Sequence, residues 1–153
     1  MSDVTVTIHG LEAAQAKLRQ VSRDLRGDPI VKGMKQATKL VLRDARANAP
    51  KDTGTLQGSL VENIYLEGMT VVGVVGTPIK YAPFVELGSA PHFPPLEAVE
   101  GWAARHGTTA IAVARAVAAH GTKARKFMQR AFEMNESKIE DLIGKVVAEI
   151  VTK

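Results

Sequence analysis

The stretch LVENIYLEGMTVVGVV, residues 60–75, decides the fold class of this chain. Its two halves, residues 60–66 and 69–75, are rich in β-branched side chains and are joined at Glu67-Gly68. Two such runs around a short glycine-containing connection predict an antiparallel hairpin. Because the second half carries valines at neighbouring positions, apolar side chains point to both faces of the sheet, and we expect cover on both sides.

On the N-terminal side of the hairpin, the sequence predicts a long amphipathic helix from Pro29 to about Asn48. Asp28 and Pro29 suit its N-cap and first position. Pro50 ends the helix, because the residue before a proline avoids helical angles. Apolar side chains fall on one face of this helix, and basic side chains share a stripe roughly opposite. This basic stripe consists of Lys32, Lys35, Lys39, Arg43 and Arg46.

The remaining segments complete an α+β fold. Alternation over residues 4–8 predicts a short strand, and apolar spacing predicts a helix over residues 11–26. The segments beyond the hairpin are a helical turn at 81–88, an irregular loop at 90–95, helices at 96–106 and 110–120, and a final helical segment from about Lys126. We predict one domain over residues 1–153, in which a small antiparallel sheet with a central hairpin is packed by the long N-terminal-half helix and by C-terminal helices.

The composition points away from several classes of protein. The chain has 153 residues, 45% of them apolar, and a net charge of +4, which is too mild to identify a partner. The absence of cysteine excludes disulfides, thiolate nucleophiles and cysteine-ligated metals, and favours an intracellular protein. The sequence carries neither a signal peptide nor a membrane-spanning apolar run, so we expect a soluble protein without membrane contact.

Sequence patterns for catalysis are scarce. Asp52-Thr53-Gly54 is the tripeptide of aspartic proteases, in which two aspartates share a proton. That chemistry needs a buried strand, whereas this tripeptide follows a basic helix. We therefore favour a turn in which Asp52 and Thr53 bond nearby backbone and Gly54 takes a positive φ. The histidines lack metal-ligand spacing, so we predict no metal, no cofactor and no enzymatic activity; they are His9, His92, His106 and His120.

Three surfaces allow two interpretations each. The basic stripe is either a solvated face or a surface for an acidic neighbour or passing DNA. The C-terminal apolar stripe, Ile139 to Ile150, is favoured as core over an exposed partner helix. An aromatic cluster beside the loop at 90–95 is favoured as part of the core, with an interface as the alternative. This aromatic cluster consists of Tyr81, Phe84, Phe93 and Trp102.

Three ordered motifs follow one another along the chain. APKDTGTLQGS at 49–59 has the form A-P-x-D-T-G-x-L-x-x-S, YAPFVELGS at 81–89 has the form Y-A-x-x-x-E-x-G-[ST], and Gly121-Thr122 precedes Phe127-Met128 and Ala131. With IHGLE at 8–12, this set resembles the phage tail-component family typified by the tenth gene product of a lambda-like siphophage. The motif positions are Pro50, Asp52, Thr53, Gly54, Leu56, Ser59, Tyr81, Ala82, Glu86, Gly88 and Phe127.

The sequence departs from the family pattern in two places. Lys126 stands where the family usually has proline, which predicts a different start to the last helical segment. Residues 93–121 look like a helical insertion. For the part of the chain that follows the family pattern, the resemblance implies that the first motif shapes the loop after the long helix. It also implies that Tyr81, Glu86 and Gly88 fix the loop between sheet and helices beside a neighbouring subunit.

The resemblance implies a structural virion protein that acts in tail completion or head–tail joining. Its partners would be copies of itself in a closed ring, for example a hexamer, and neighbouring tail-tube or head–tail connector proteins. Passing DNA would make non-specific contact with the basic stripe. The protein would reside in the tail or neck of the virion, and in the host cytoplasm before assembly. A tail terminator or head–tail adaptor of related fold, a nucleic-acid-binding module using the basic stripe, and a dimeric aspartic protease stay open as alternatives.

Overall fold

The computed structural model describes residues 11–24, 27–68 and 70–152. Within them, eight helices accompany one two-stranded antiparallel sheet, which confirms the α+β class and the hairpin. In chain order the elements are α1 (Leu11–Asp24), α2 (Asp28–Asn48), α3 (Thr55–Ser59), β1 (Val61–Glu67), β2 (Thr70–Gly76), α4 (Ala82–Leu87), α5 (Leu96–Arg105), α6 (Ala110–His120), α7 (Phe127–Glu133) and α8 (Glu136–Val151). The strand predicted at residues 4–8 lies outside the described residues.

The chain divides into two compact units. The first comprises the chain up to Ala37, Ile64–Gly73 and Ser137–Lys153, and the second comprises Thr38–Asn63 and Val74–Glu136. Helix α2 and the hairpin each contribute residues to both units. The single domain expected over residues 1–153 stays a prediction.

Helix α2 has nearly the predicted bounds and faces. Asp28 lies in its first turn rather than preceding it, where a carboxylate favours the positive end of the helix dipole. At the other end, the amide of Ala49 still donates to the carbonyl of Ala45 at 2.9 Å before Pro50 terminates the helix. The apolar face is buried at Ile30, Ala37, Val41, Ala45 and Ala49, and every residue of the basic stripe is exposed.

In the first unit, helix α8 packs its apolar stripe against the start of α2. A side chain at Gly33 would lie 3.1 Å from Val146 and 3.5 Å from Ile143 and Leu142, so the two helices approach closely at this glycine. Ile150 is buried. The core interpretation of the C-terminal stripe is therefore confirmed.

The final helical segment is two helices rather than one, because the chain breaks between α7 and α8. Asn135 occupies the break and is fully buried. Its side-chain amide donates to the carbonyl of Ala131 at 2.8 Å and to the carboxylate of Asp44 at 2.7 Å. These bonds attach the end of α7 to α2 within the second unit.

The hairpin is covered less completely than expected. Val61 and Tyr65 occupy alternate positions of β1 and therefore share one face of the sheet. Both are exposed, and so is Val74 on β2. The expectation of cover on both sides is therefore wrong at these described positions, whose side chains stay exposed.

Candidate functional site

The first motif forms a turn followed by the short helix α3. Gly54 has φ of 81°, as predicted, and its carbonyl accepts from the amide of Gly58 at 2.9 Å. Thr53 accepts from the amide of Thr55 at 3.4 Å, which confirms its local bonding. The helix at residues 55–59 was missed, since five residues are too few to show a helical period.

Two side chains of the first motif hold α3 in place. Leu56 is buried, and the hydroxyl of Ser59 donates to the carbonyl of Leu56 at 2.8 Å and bonds the hydroxyl of Thr77 at 2.7 Å. The neighbouring Gln57 donates to the carbonyls of Arg46 and Ala49, at 2.9 and 3.2 Å. Carbonyls at a helix end lack intrahelical partners, so Gln57 satisfies the C-terminus of α2.

Asp52 bonds a distant side chain instead of the nearby backbone that the sequence suggested. Its carboxylate accepts both from Nε of Arg105, at 2.9 Å, and from Nη2 of the same guanidinium. This bidentate pair joins the first motif to α5. Hydrogen bonding to Arg105 lowers the pKa of Asp52, and the same bond raises the pKa of Arg105. Asp52 lies on an exposed bend rather than a buried strand, so the protease arrangement is absent at this position.

The second and third motifs bond each other. The Glu86 carboxylate accepts from the amides of Met128 and Gln129, each at 2.9 Å, and so caps the N-terminus of α7. The backbone of Ser89 and Thr122 forms an isolated antiparallel bridge, with both N–O distances at 3.1 Å. We call this set of bonds between residues 85–89 and 121–129 the motif clasp.

Two glycines make the motif clasp possible. Gly88 has φ of 74° and Gly121 has φ of 68°. A Cβ atom at Gly88 would collide with the carbonyl oxygen of Thr122, and one at Gly121 would collide with that of Ser89. Only glycine fits both the backbone angles and the close approach.

Lys126 starts α7 in a way that proline could not. It has φ of 52° and ψ of 38°, the left-handed region, whereas the proline ring holds φ near about −65°. Its amide also donates to the carbonyl of Glu86 at 3.0 Å, a bond that proline cannot make. A proline at this position would therefore require a different local backbone. Phe127, the next residue, is buried.

Helix α4 directs its charged side chain inward and its large apolar side chains outward. Its only charged residue, Glu86, points inward to cap α7, and Ala82 is buried. Its outward side carries Pro83, Phe84 and Leu87, and the latter two are 61% and 74% exposed. We call these three residues the α4 ridge.

The aromatic cluster does not close the core. Tyr81, Phe93 and Trp102 are 48%, 57% and 43% exposed, and Phe84 belongs to the exposed α4 ridge. The favoured core interpretation is therefore wrong. The buried apolar positions near these residues are mostly small ones, such as Ala82 and Ala103, with Phe127 as the largest.

A groove of about 560 Å³ runs between the first motif, the start of α4 and one side of α5. Tyr81, Trp102 and Ala98 supply apolar surface to it, and Asp52 with Arg105 supplies the ion pair. Glu97 adds a second carboxylate to the wall. We call this feature the motif groove. Trp102 is held in place by stacking on His106, with ring centroids 3.9 Å apart.

The basic stripe is exposed but is not a uniform row of free cations. Arg43 pairs with Asp44 at 2.7 Å, and hydrogen bonding to that carboxylate raises the pKa of Arg43. Arg46 donates to the carbonyl of Leu60 at 2.7 Å and thereby supports the start of β1. Sequence periodicity could place these side chains on one face but could not reveal these partners.

Neither a metal-binding cluster nor a membrane-spanning helix is found among the described residues. Across residues 11–24, 27–68 and 70–152, no cluster of three or more candidate ligands could hold a metal ion. Over the same residues, no helix combines the length and apolar character needed to cross a bilayer. His92, His106 and His120 are all exposed, and His9 lies outside the described part.

Comparison with known proteins identifies the family. The family model described as "Bacteriophage HK97-gp10, putative tail-component" matches residues 12–88, half of the chain, and covers the first motif and all of the second except Ser89. The chain belongs to this phage tail-component family, which is structural rather than catalytic. The third motif lies beyond the match, although the motif clasp bonds it to the second. No curated protein and no solved structure matches the chain.

Proposed function

We propose that this chain is a ring-forming structural subunit of a tailed phage or prophage particle, and that it acts in tail completion or head–tail joining. The observation that carries the proposal is the inverted helix α4. Apolar side chains that point outward from a helix cost free energy while they contact water, and a second molecule that covers them removes this cost. Family membership makes another virion subunit the natural cover.

The distribution of large side chains supports the same proposal. Trp102, Phe84 and Leu87 are exposed in the second unit, whereas alanines account for most of its buried apolar residues. Exposed apolar side chains that cluster on a surface mark interaction sites. Burial between subunits would supply stabilisation that the chain does not obtain from its own core.

A closed ring requires head-to-tail contacts in which two different patches of the same subunit meet. The second unit offers exposed apolar side chains in more than one place, including the α4 ridge and Val61 on β1. The remaining patches would then contact a tail-tube or connector protein above or below the ring. A tail terminator or head–tail adaptor would use the same surfaces and stays the alternative within this class.

The basic stripe supports a secondary role in such a ring. Lys32, Lys35 and Lys39 extend along one side of α2 and are exposed. If that side lines the channel, the lysines would attract passing DNA without reading its sequence. Arg46 contributes less, because its guanidinium already bonds the carbonyl of Leu60.

A complementation experiment tests the proposed function. The gene is deleted from a phage or prophage that carries it, and particles are counted by electron microscopy with and without the protein supplied from a plasmid. The proposal predicts unjoined heads and incomplete tails, restored by the plasmid. Normal particles after deletion would contradict it. A stand-alone nucleic-acid-binding module would leave particle morphology intact and would instead show DNA affinity that falls steeply with salt.

A further inference from the structure

We infer that the α4 ridge of one copy docks in the motif groove of the next copy. This inference rests on the proposed self-association and names the surfaces that would make it. Both surfaces belong to the second unit. The family motifs build both of them, since the second motif forms α4 and the first motif forms one wall of the groove.

Both surfaces expose large apolar side chains. Phe84 and Leu87 protrude from the ridge, and Tyr81 and Trp102 line the groove. From their exposed fractions, these four side chains present roughly 500 Å² to solvent. An interface of about 1,000 Å² is somewhat more than half apolar, so these four residues would supply most of its apolar centre.

The charges beside the two surfaces are opposite. Exposed cations flank the α4 ridge, at Lys80 just before the helix and at Lys123, Arg125 and Lys126 in the segment bonded to its last turn. In the motif groove, Asp52 neutralises Arg105, which leaves the carboxylate of Glu97 as net negative charge. A basic rim around an apolar ridge and an acidic wall beside an apolar groove form a complementary pair.

The two surfaces face different directions, so a copy cannot fill its own groove. Tyr81 and Val85 line the groove from one side of α4. At about 100° per residue, Phe84 lies about 100° and Leu87 about 160° from Val85 around the helix axis. Ridge-to-groove contact is therefore between copies and head-to-tail, which is the geometry that a ring requires.

Two variants, each at exposed positions, separate the two surfaces. The ridge variant carries Phe84→Glu and Leu87→Glu, and the groove variant carries Ala98→Trp, which fills the groove from an exposed helical position. We expect self-association measured by light scattering to weaken about a hundredfold or more in each variant. Leu18→Glu serves as the control, because Leu18 is 69% exposed on α1 and belongs to neither surface. Circular dichroism melts verify that each variant is folded.

Mixing the two variants gives the decisive readout. The groove variant retains a ridge and the ridge variant retains a groove, so an equimolar mixture should form heterodimers that grow no further. Wild-type-like association of either variant alone, or no heterodimer in the mixture, would overturn the inference and leave the proposed function standing. A wild-type chain that stays monomeric up to its solubility limit would instead contradict the proposed self-association itself.

Discussion

The carboxylate of Glu86 accepts a hydrogen bond from the backbone amide of Met128 at 2.9 Å, across 42 positions of sequence. Together with the second hydrogen bond, from the amide of Gln129, it explains why an acidic residue in the second motif points into the protein. It also fixes the orientation of α4, and thereby turns the α4 ridge outward.

Glu86→Ala should destabilise the second unit by about 1–2 kcal/mol, because two amides at the start of α7 lose their charged acceptor. Urea unfolding followed by circular dichroism measures the change. Glu140→Ala, at an exposed position of α8, is the matched control and should change the free energy of unfolding by less than about 0.5 kcal/mol. Equal effects of the two substitutions would show that the cap contributes nothing.

Gly121→Ala should cost more than about 2 kcal/mol, since the new methyl group meets the carbonyl of Ser89 in a backbone conformation that alanine disfavours. Gly58→Ala is the contrasting control. Gly58 lies in α3 with open space around its Cβ position, so alanine there should stabilise the fold by up to about 1 kcal/mol. Thermal melts of the two variants should therefore shift in opposite directions; a shift in the same direction would contradict the motif clasp.

Lys126→Pro tests the unusual start of α7. Proline cannot adopt the positive φ at this position and cannot donate to the carbonyl of Glu86, so we expect a loss of about 3 kcal/mol or more. Lys126→Gly should instead stabilise the protein by about 1 kcal/mol, because glycine has no penalty in the left-handed region. A proline variant as stable as the wild type would mean that α7 can start in the family's usual way.

The ion pair between Asp52 and Arg105 predicts a specific pH dependence. Because hydrogen bonding to Arg105 lowers the pKa of Asp52, the stabilisation from this pair is complete above the ordinary carboxyl pKa of 3.8. It is lost as the pH falls below 3.8 through the lowered pKa of the folded state. The melting temperatures of wild type and Asp52→Asn should therefore differ near pH 7 and converge in strong acid. Asp141→Asn, at an exposed position of α8, is the control, and its melting temperature should stay close to that of the wild type at both pH values.

Much of the fold could be predicted because local chemistry determines it. The hairpin follows from β-branched runs around Gly68. Prolines at the starts of α4 and α5, and glycines at or just beyond the ends of α4, α5 and α6, set those bounds. The break at Asn135 could not be predicted in the same way, since the apolar spacing continues toward α8 and the residue is stabilised by Asp44, 91 positions earlier.

The candidate site was only partly predictable. The motifs named the residues of the clasp, but not that Glu86 would bond Met128 or that Asp52 would bond Arg105, because such pairs are set by tertiary packing. Exposure of the aromatic cluster was predicted incorrectly for a related reason. Apolar composition is the same for a core residue and an interface residue, and only the positions of the surrounding elements separate them.

Sedimentation velocity over a wide range of concentrations tests the central claim most directly, because it reports the size of every assembly present. The account predicts that the 16.4 kDa chain passes with rising concentration into one larger species of fixed size, as a closed ring requires. A single species at the monomer mass throughout, with Phe84 and Leu87 still exposed to solvent, would contradict it.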